Sequence, residues 1–150
     1  MFGYYENHRD DMGQAYAWYA RDNHFAPHFH NSVELAYVLE GEIVATLDGV
    51  EYPVAKDTLL ISSSYTVHSY ATPASSRIIV AIIPIAAVPS VRQPLSKQAF
   101  SSPVCPDDKA HTLRAIMELM VQNRDANQLT MKGLCYTMLG MLIDRVGLVE

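Results

Sequence analysis

A chain of 150 residues is long enough to form one domain with a hydrophobic core. Hydrophobic residues make up 49% of the sequence and charged residues 18%, a composition typical of globular proteins and unlike that of disordered ones. The net charge is −5 and no basic stripe is visible. A duplex-binding surface needs clustered Lys and Arg, so we expect this chain alone to bind DNA poorly.

The two cysteines, Cys105 and Cys135, have no short spacing between them. This excludes a disulfide framework and a zinc-ribbon pattern, and we expect two free thiols in a reducing compartment. The N-terminus has no basic segment followed by an apolar run, and the longest apolar stretch, 78–88, contains Pro84 and is too short to span a bilayer. We therefore expect a cytoplasmic protein without membrane contact.

The first two thirds of the chain has the pattern of antiparallel β structure, because short apolar runs are broken by turn signals at close intervals. The dipeptide Asp48-Gly49 predicts a two-residue hairpin, since both residue types tolerate positive φ. Many short strands at even spacing indicate a sandwich or a barrel. Strands are predicted over residues 14–20, 33–39, 43–47, 50–54, 58–62, 67–71 and 77–83.

Residues 85–106 contain four prolines among Ser and Ala. Proline removes a backbone donor and fixes φ, so we predict a connecting segment that wraps the β structure. The apolar period then becomes helical, and two helices are predicted over residues 108–124 and 130–146, with a loop at 123–128. The expected N-caps are Asp107 or Asp108 for the first helix and Thr130 for the second.

The second predicted helix is apolar on most sides and therefore needs more than one neighbour. One side can cover the β structure or the first helix, and we expect another side to meet a second copy of the chain. The alternative is that both helices only cap an open end of the barrel. The residues expected at the dimer contact are Leu113, Ile116, Met117, Met120, Leu134, Met138 and Leu142.

The most specific signal begins at His28 and His30, which alternate on a strand and so leave the same face. Glu34 follows four residues later, at the start of the next strand. Gly41 stands where a tight turn needs a residue free of Cβ strain. His68 comes after a further strand and a polar turn.

This pattern resembles the first motif of the cupin family: His, any residue, His, three or four residues, Glu, six residues, Gly. The family's second motif ends in a histidine after a strand, where His68 stands. The resemblance implies a mainly β fold, a cupin (double-stranded β-helix or jelly-roll) barrel, followed here by two C-terminal α-helices. It also implies that a metal, if bound, would be held by His28, His30, Glu34 and His68. Such a donor set suits Zn, Ni, Fe or Mn.

Departures from the motifs point away from the metalloenzymes of the family. Asp22 and Lys56 stand where the motifs usually begin with glycine, and residues 62–64 are serines in place of a proline and a glycine. The stretch 27–70 is similar to the sensor domains of AraC-type regulators. That resemblance implies a barrel with its connector over 1–106 and a two-helix dimerisation segment over 107–150. The helix-turn-helix DNA-binding domain of such regulators is absent from this chain, which ends at Glu150.

The resulting interpretation is the ligand-sensing and dimerising part of an AraC-type transcription regulator, not an enzyme and without a required cofactor. It would form a homodimer through its C-terminal helices and contact DNA only through the missing domain. A small-molecule effector is expected inside the barrel, against Trp18, His28, His30, Glu34, His68 and Tyr70.

The alternative is a stand-alone metal-dependent cupin enzyme, a dioxygenase or isomerase, with a divalent transition metal at the histidine and glutamate cluster. The same cluster could instead be a hydrogen-bonded pocket in which Glu34 orients the imidazoles without a metal. Trp18 is equally consistent with a core position and with ligand contact. We expect Tyr37 to pack outside the barrel, and the remaining histidines, His8, His24 and His111, to lie on the surface.

Overall fold

Residues 2–6, 13–106 and 108–150 are described by a computed structural model. His8 and Asp107, for which the sequence predicts a surface position and a helix cap, lie outside the described residues. The strands are β1 (Tyr4–Tyr5), β2 (Tyr16–Arg21), β3 (Phe25–Phe29), β4 (Ser32–Leu47), β5 (Val50–Ala55), β6 (Leu59–Ser62), β7 (His68–Ala71), β8 (Ser76–Pro84), β9 (Ala99–Phe100), β10 (Val104–Cys105) and β11 (Leu148–Val149).

Two sheets share the long strand β4. Its first part lies between β8 and β6, with which it pairs. Strand β2 pairs with the far side of β8, and β10 pairs with the far side of β6. These five strands form what we call the first sheet. The last part of β4 lies between β5 and β7, with which it pairs. Strand β3 follows β7 in the sheet and β1 follows β3, and these five strands form the second sheet. Every pairing is antiparallel except that of β1 with β3.

The continuity of β4 corrects the prediction of separate strands over 33–39 and 43–47. The chain does not reverse between them; its pairing with β8 shifts register between Val38 and Glu40. Gly41 follows directly with φ of +71°, and a Cβ at this position would overlap the backbone carbonyl of Ser75. The glycine of the motif therefore allows a strand to pass from one sheet to the other.

Other turn residues behave as the sequence predicts. Asp48 and Gly49 both have positive φ and join β4 to β5 with Leu47 opposite Val50, which confirms the two-residue hairpin. Asp22 and Asp57 also have positive φ, at +50° and +60°. Aspartate tolerates this region better than most residues, which explains how the chain dispenses with glycine near both motif starts.

The proline-containing connector has more structure than the sequence indicates. It holds two short 3-10 turns, Ile85–Ala87 and Pro89–Val91, and a short helix α1 (Arg92–Lys97). Strand β10 extends the first sheet, whereas β9 pairs with β11 near the C-terminus. The connector thus follows the barrel surface, as predicted, and also attaches the end of the chain to it.

The two main helices are α2 (Thr112–Gln122) and α3 (Gln128–Val146). Helix α2 begins later than the predicted residue 108, but the Asp108 carboxylate still accepts hydrogen bonds from the backbone N–H groups of Leu113 and Arg114. The prediction of Thr130 as the second cap is wrong, because Asn127 accepts the N–H of Leu129 and Thr130 lies inside the helix.

Alternate residues of β4 face two different hydrophobic clusters. Ala36 and Val38 point between the two sheets, where they meet Ile43, Leu60 and other interior side chains. Leu35, Tyr37 and Leu39 point the other way, into a cluster shared with α2 and α3. The helices therefore cover the outer face of the first sheet and share a core with it. As predicted, Tyr37 lies outside the barrel, although it is fully buried there.

The residues predicted for the dimer contact contribute to this internal core. Met117, Met120, Met138, Leu142 and Leu113 have no exposed surface, Ile116 is 8% exposed, and Leu134 is partly buried. In this conformation all seven stabilise the packing of the helices on the barrel, and all except the partly exposed Leu134 are inaccessible to a second copy. Across the described parts of the chain, none of the helices combines the length and apolar character that a membrane crossing requires.

Candidate functional site between the sheets

The interior of the barrel contains a buried polar cluster centred on Glu34. Glu34 is the third residue of β4, and its side chain points between the sheets, on the same face as Ala36 and Val38. His28 lies on β3, His30 directly after it, and His68 and Tyr70 share one face of β7. All five side chains are buried, and the Tyr70 hydroxyl reaches Glu34 from 36 positions further along the chain, so strand pairing brings together residues that are distant in the sequence.

One carboxylate oxygen faces all three imidazoles. Glu34 Oε2 lies 2.9 Å from His30 Nε2, 3.0 Å from His68 Nε2 and 3.8 Å from His28 Nε2. The other oxygen, Oε1, accepts a 2.7 Å hydrogen bond from the Tyr70 hydroxyl. Tyr70 therefore orients the carboxylate and leaves Oε2 directed at the histidines.

Backbone carbonyls determine which nitrogen of two histidines faces the centre. His28 Nδ1 lies 2.9 Å from the carbonyl of Ala26, and His68 Nδ1 lies 2.8 Å from that of Thr66. Each Nδ1 must carry a proton to donate these bonds, so Nε2 of a neutral ring would present a lone pair to a carboxylate. Two such acceptors repel each other unless a proton or a metal cation lies between them.

The negative charge of Glu34 and the positive charge of His68 stabilise each other. Burial by itself would raise the pKa of Glu34, but the positive charge of His68 and the hydrogen bonds of the three histidines hold it well below its ordinary value. Burial would lower the pKa of His68, but the attraction of Glu34 raises it. Burial and the nearby charge of Glu34 raise the pKa of Tyr70 well above its ordinary value, so its hydroxyl remains a donor.

The donor set fits a metal ion. One ligand atom from each of His28, His30, Glu34 and His68 lies within 4.8 Å of the others. Two of the rings have the carbonyl partners on Nδ1 that usually orient metal-bound histidines. His30 differs, because its buried Nδ1 has no hydrogen-bond partner among the described residues. A divalent transition metal held here would supply Lewis-acid chemistry toward an oxygen-bearing ligand.

The space inside the barrel is small in this state. A cavity of about 10 Å³ lies beside the cluster, which is room for about one water molecule. It is bordered by Trp18, His28, Glu34 and Tyr70 of the predicted site, together with Glu6, Phe25, Val80 and Ile82. His30 and His68 do not border the cavity but contact Glu34, and an effector could enter only after a rearrangement.

Sequence reasoning missed Glu6 and Phe25. The Glu6 carboxylate lies 3.3 Å from His28 Nε2, and the Phe25 ring lies 4.7 Å from the His28 ring. Glu6 reaches the site because β1 pairs with β3 in parallel, a long-range contact without a local sequence signal. Phe25 precedes His28 by three residues, so simple alternation would place the two side chains on opposite faces of β3. The register shift between Phe25 and His28 in the pairing of β3 with β7 brings both to the interior, and this irregularity has no clear sequence signal.

Three larger depressions are bordered by other described residues, with volumes of about 320 Å³ beside Asp57 and His111, about 250 Å³ beside Tyr52 and Phe100, and about 130 Å³ beside Met131 and Cys135. The described residues that border them include none of the six predicted effector-binding residues. His24 and His111 are exposed, as predicted. The chemistry of the interior therefore distinguishes the site better than cavity size does.

The model of the AraC-like ligand binding domain matches residues 14–139. This chain belongs to that family. The match extends over the barrel, the connector and most of α3, so it supports the whole architecture and confirms both the family resemblance and the fold class predicted from the sequence. A comparison with curated protein sequences finds no significant match.

Solved structures show the same fold at low sequence identity. ToxT from Vibrio cholerae superimposes with a TM-score of 0.58 at 10% identity, covering 89% of this chain and 58% of ToxT. A ToxT structure with bound unsaturated fatty acid gives 0.56, again at 10% identity, covering 89% of this chain and 55% of that one. An RmlC-like cupin from Shewanella frigidimarina gives 0.44 at 20% identity over 48% of this chain and 68% of the cupin. This chain thus spans little more than half the length of ToxT.

Proposed function

We propose that this protein is the ligand-sensing part of an AraC-type transcription regulator, and that it binds a small effector inside the barrel. It acts in the cytoplasm without catalysis, and DNA is contacted by a domain outside these 150 residues. The observation that carries the proposal is the buried cluster around Glu34 at the centre of a barrel that belongs to the AraC-like ligand binding domain family.

Energetics support a binding role for this cluster. Burying a charged carboxylate and three imidazoles costs several kcal/mol unless they are paired, and apolar residues of the same volume would serve the fold at least as well. The cluster borders a cavity with an apolar side formed by Trp18, Phe25, Val80 and Ile82. Convergent polar groups beside apolar walls are the usual arrangement of a small-molecule site. The bound fatty acid in the ToxT structure indicates that a protein with this fold can bind a small organic ligand.

Regulation requires that the effector bind two states of the protein with different affinity. The closed interior supports this part of the proposal, because the cavity of about 10 Å³ has to enlarge before an effector fits. The state described here would then be the effector-free state. Residues at the border of the cavity lie on β2, β3, β4, β7 and β8 and, with Glu6, directly after β1, so enlargement affects both sheets.

Homodimerisation through α2 and α3 belongs to the same proposal. Since all the apolar residues first predicted for it except the partly exposed Leu134 are internal, the contact would also use outward residues such as Leu119 and Leu129, which are 43% and 78% exposed. Sedimentation equilibrium of the purified chain tests this directly. A species that remains monomeric at high micromolar concentration would remove dimerisation from the proposal.

The effector-binding role is tested by a ligand screen followed through the fluorescence of Trp18, the single tryptophan of the chain. The screen includes sugars, amines and organic acids. A true effector should saturate the signal and raise the melting temperature. Glu34→Gln should weaken its binding by about tenfold or more, whereas the exposed His24→Ala should not. Equal loss in both variants would contradict binding at the cluster.

A metal-dependent cupin enzyme is the second candidate function, and the convergence of three Nε2 atoms on Glu34 favours it. Elemental analysis of protein purified without an affinity tag or added metal tests it. Near one equivalent of a single transition metal, lost in His28→Ala and His68→Ala, would favour the enzyme or a metal-assisted sensor. Folded protein without metal would leave the histidines as effector-binding groups.

A further inference from the structure

The N-terminal segment places a carboxylate inside the proposed effector site. Strand β1 pairs with β3 so that Tyr4 lies opposite His28, with their rings stacked at 5.7 Å. The Glu6 N–H donates to the carbonyl of Phe29 at 2.8 Å, and the Glu6 side chain turns inward. Glu6 is only 5% exposed, and its Oε2 lies 3.3 Å from His28 Nε2.

The position of Glu6 matches that of a bound anion. Its carboxylate faces His28 from one direction while that of Glu34 faces the same nitrogen from another, at 3.8 Å. A buried carboxylate is tolerated only where positive charge or donors compensate it. If the carboxylate of a ligand takes the place of the Glu6 carboxylate, the number of buried charges in the cluster stays the same.

Glu6 is also the residue at the cavity that can leave with least disruption. The other lining residues lie on strands of four or more residues within the two sheets. Glu6 follows a two-residue edge strand whose tyrosines are 49% and 47% exposed. A short edge strand with half-exposed side chains has a low free energy of local opening. Once Glu6 has moved out, its volume joins the cavity between His28 and the apolar residues Trp18 and Phe25.

We propose that Glu6 occupies the place of the effector's carboxylate, and that the effector is a small monocarboxylate with an apolar body. Its carboxylate faces His28 Nε2, its body contacts Trp18 and Phe25, and its binding displaces the segment that carries Tyr4 and Glu6. This inference rests on the proposed function, that the barrel binds an effector, and adds the chemical class of that effector.

The test uses matched acids and amides: butyrate, benzoate and phenylacetate against butyramide, benzamide and phenylacetamide. Binding is measured by titration calorimetry and by Trp18 fluorescence on the whole chain. The variants are Glu6→Ala, Glu6→Gln and, as a control, Glu42→Gln, which changes an exposed glutamate of β4. Circular dichroism establishes that each variant is folded.

We expect at least one acid to bind more tightly than its amide. Glu6→Ala and Glu6→Gln should strengthen the binding of that acid by about tenfold, because the internal competitor has lost its charge. The affinity for the amide should change much less, and Glu42→Gln should match the wild-type protein. This combination of results is not expected if Glu6 serves only to stabilise the fold, since its removal would then leave acid binding unchanged or weaker.

Three results would overturn the inference: amides that bind as well as acids, Glu6 variants that bind acids no better than the wild-type protein, or no binding of any acid to any folded variant at millimolar concentration. Each is distinguishable from failure of the proposed function. If a neutral sugar or amine from the wider screen saturates the barrel while the acids do not, the sensor role stands and the carboxylate class is wrong. If no compound of any class binds, both fail.

Discussion

Tyr37 on β4 donates a 2.9 Å hydrogen bond to the carboxylate of Asp108, 71 residues further along the chain. The same carboxylate accepts the N–H groups of Leu113 and Arg114 at the start of α2. One buried group therefore connects the outer face of the first sheet to the helical segment. Burial, followed by the hydrogen bond and the negative charge of Asp108, raises the pKa of Tyr37 and keeps its hydroxyl protonated.

Removal of this hydroxyl should destabilise the protein. Tyr37→Phe leaves the ring in place but removes a donor to a buried carboxylate, at a cost of about 2 kcal/mol in the free energy of unfolding. Urea denaturation followed by Trp18 fluorescence measures this. Tyr19→Phe removes the hydroxyl of a tyrosine that is 45% exposed and should change stability by less than about 0.5 kcal/mol. Equal effects of the two substitutions would show that the Tyr37 bond contributes nothing.

Asp108 should contribute to acid sensitivity. Burial by itself would raise its pKa, but the N–H groups of Arg114 and Leu113 and the Tyr37 hydroxyl lower it below the ordinary 3.8. The stability that the charged carboxylate provides is therefore present above about pH 4 and is lost as the pH falls through the lower pKa of the folded state. We expect Asp108→Asn to be less stable at neutral pH and to lose less stability on acidification.

Unfolding free energies measured between about pH 6 and pH 2.5 should show the two curves approaching each other at the acid end. Asp125→Asn, at a side chain that is 84% exposed, is the matched control and should follow the wild-type curve. Parallel curves for Asp108→Asn and the wild-type protein would exclude this role of Asp108.

Two residues of α2, Met117 and Leu119, differ in burial, so we expect their substitution by Ala to have different effects on the stability of the protein. Met117 is fully buried between helix and barrel, so Met117→Ala should cost about 3 kcal/mol of stability and leave any dimer constant unchanged at temperatures where the variant is folded. Leu119 is 43% exposed, so Leu119→Ala should change monomer stability by less than about 1 kcal/mol. Thermal denaturation and sedimentation equilibrium measure the two quantities. A weakened dimer in a stable Met117→Ala protein would contradict the internal placement of this methionine.

Both cysteines should resist modification in the folded protein. Cys105 and Cys135 are free and buried. Burial raises the pKa of Cys135 to about 12, and burial also raises that of Cys105. Because the thiolate is the reactive form, an aromatic disulfide reagent at pH 8 should label neither thiol quickly, whereas urea should release two equivalents. Fast labelling of one thiol without denaturant, assigned by mass spectrometry, would mean that its surroundings open in solution.

The features that the sequence predicted correctly are those that depend on residues close together in the chain. The alternation of His28 and His30, the hairpin at Asp48-Gly49 and the helical period after residue 106 each depend on neighbours a few positions apart. Such patterns were sufficient for the mainly β fold with two terminal helices, whereas the grouping of the histidines with Glu34 followed from the resemblance to the cupin motifs. The local patterns were not sufficient for the turn predicted at Gly41, since a positive φ suits both a reversal and a strand that changes sheets.

The amino-acid sequence by itself predicted a β structure with a helical tail, because periodicity depends on neighbouring residues, and its resemblance to the cupin motifs predicted the barrel and the four ionisable residues that meet inside it. Only the tertiary structure decided what those residues and the helices contact. Long-range pairing places Glu6 against His28, and packing on the first sheet turns the apolar sides of α2 and α3 inward. Burial of an apolar helix face is equally favourable against a barrel and against a second subunit. The hydrophobic periodicity of a helix therefore cannot show which of these two partners covers it.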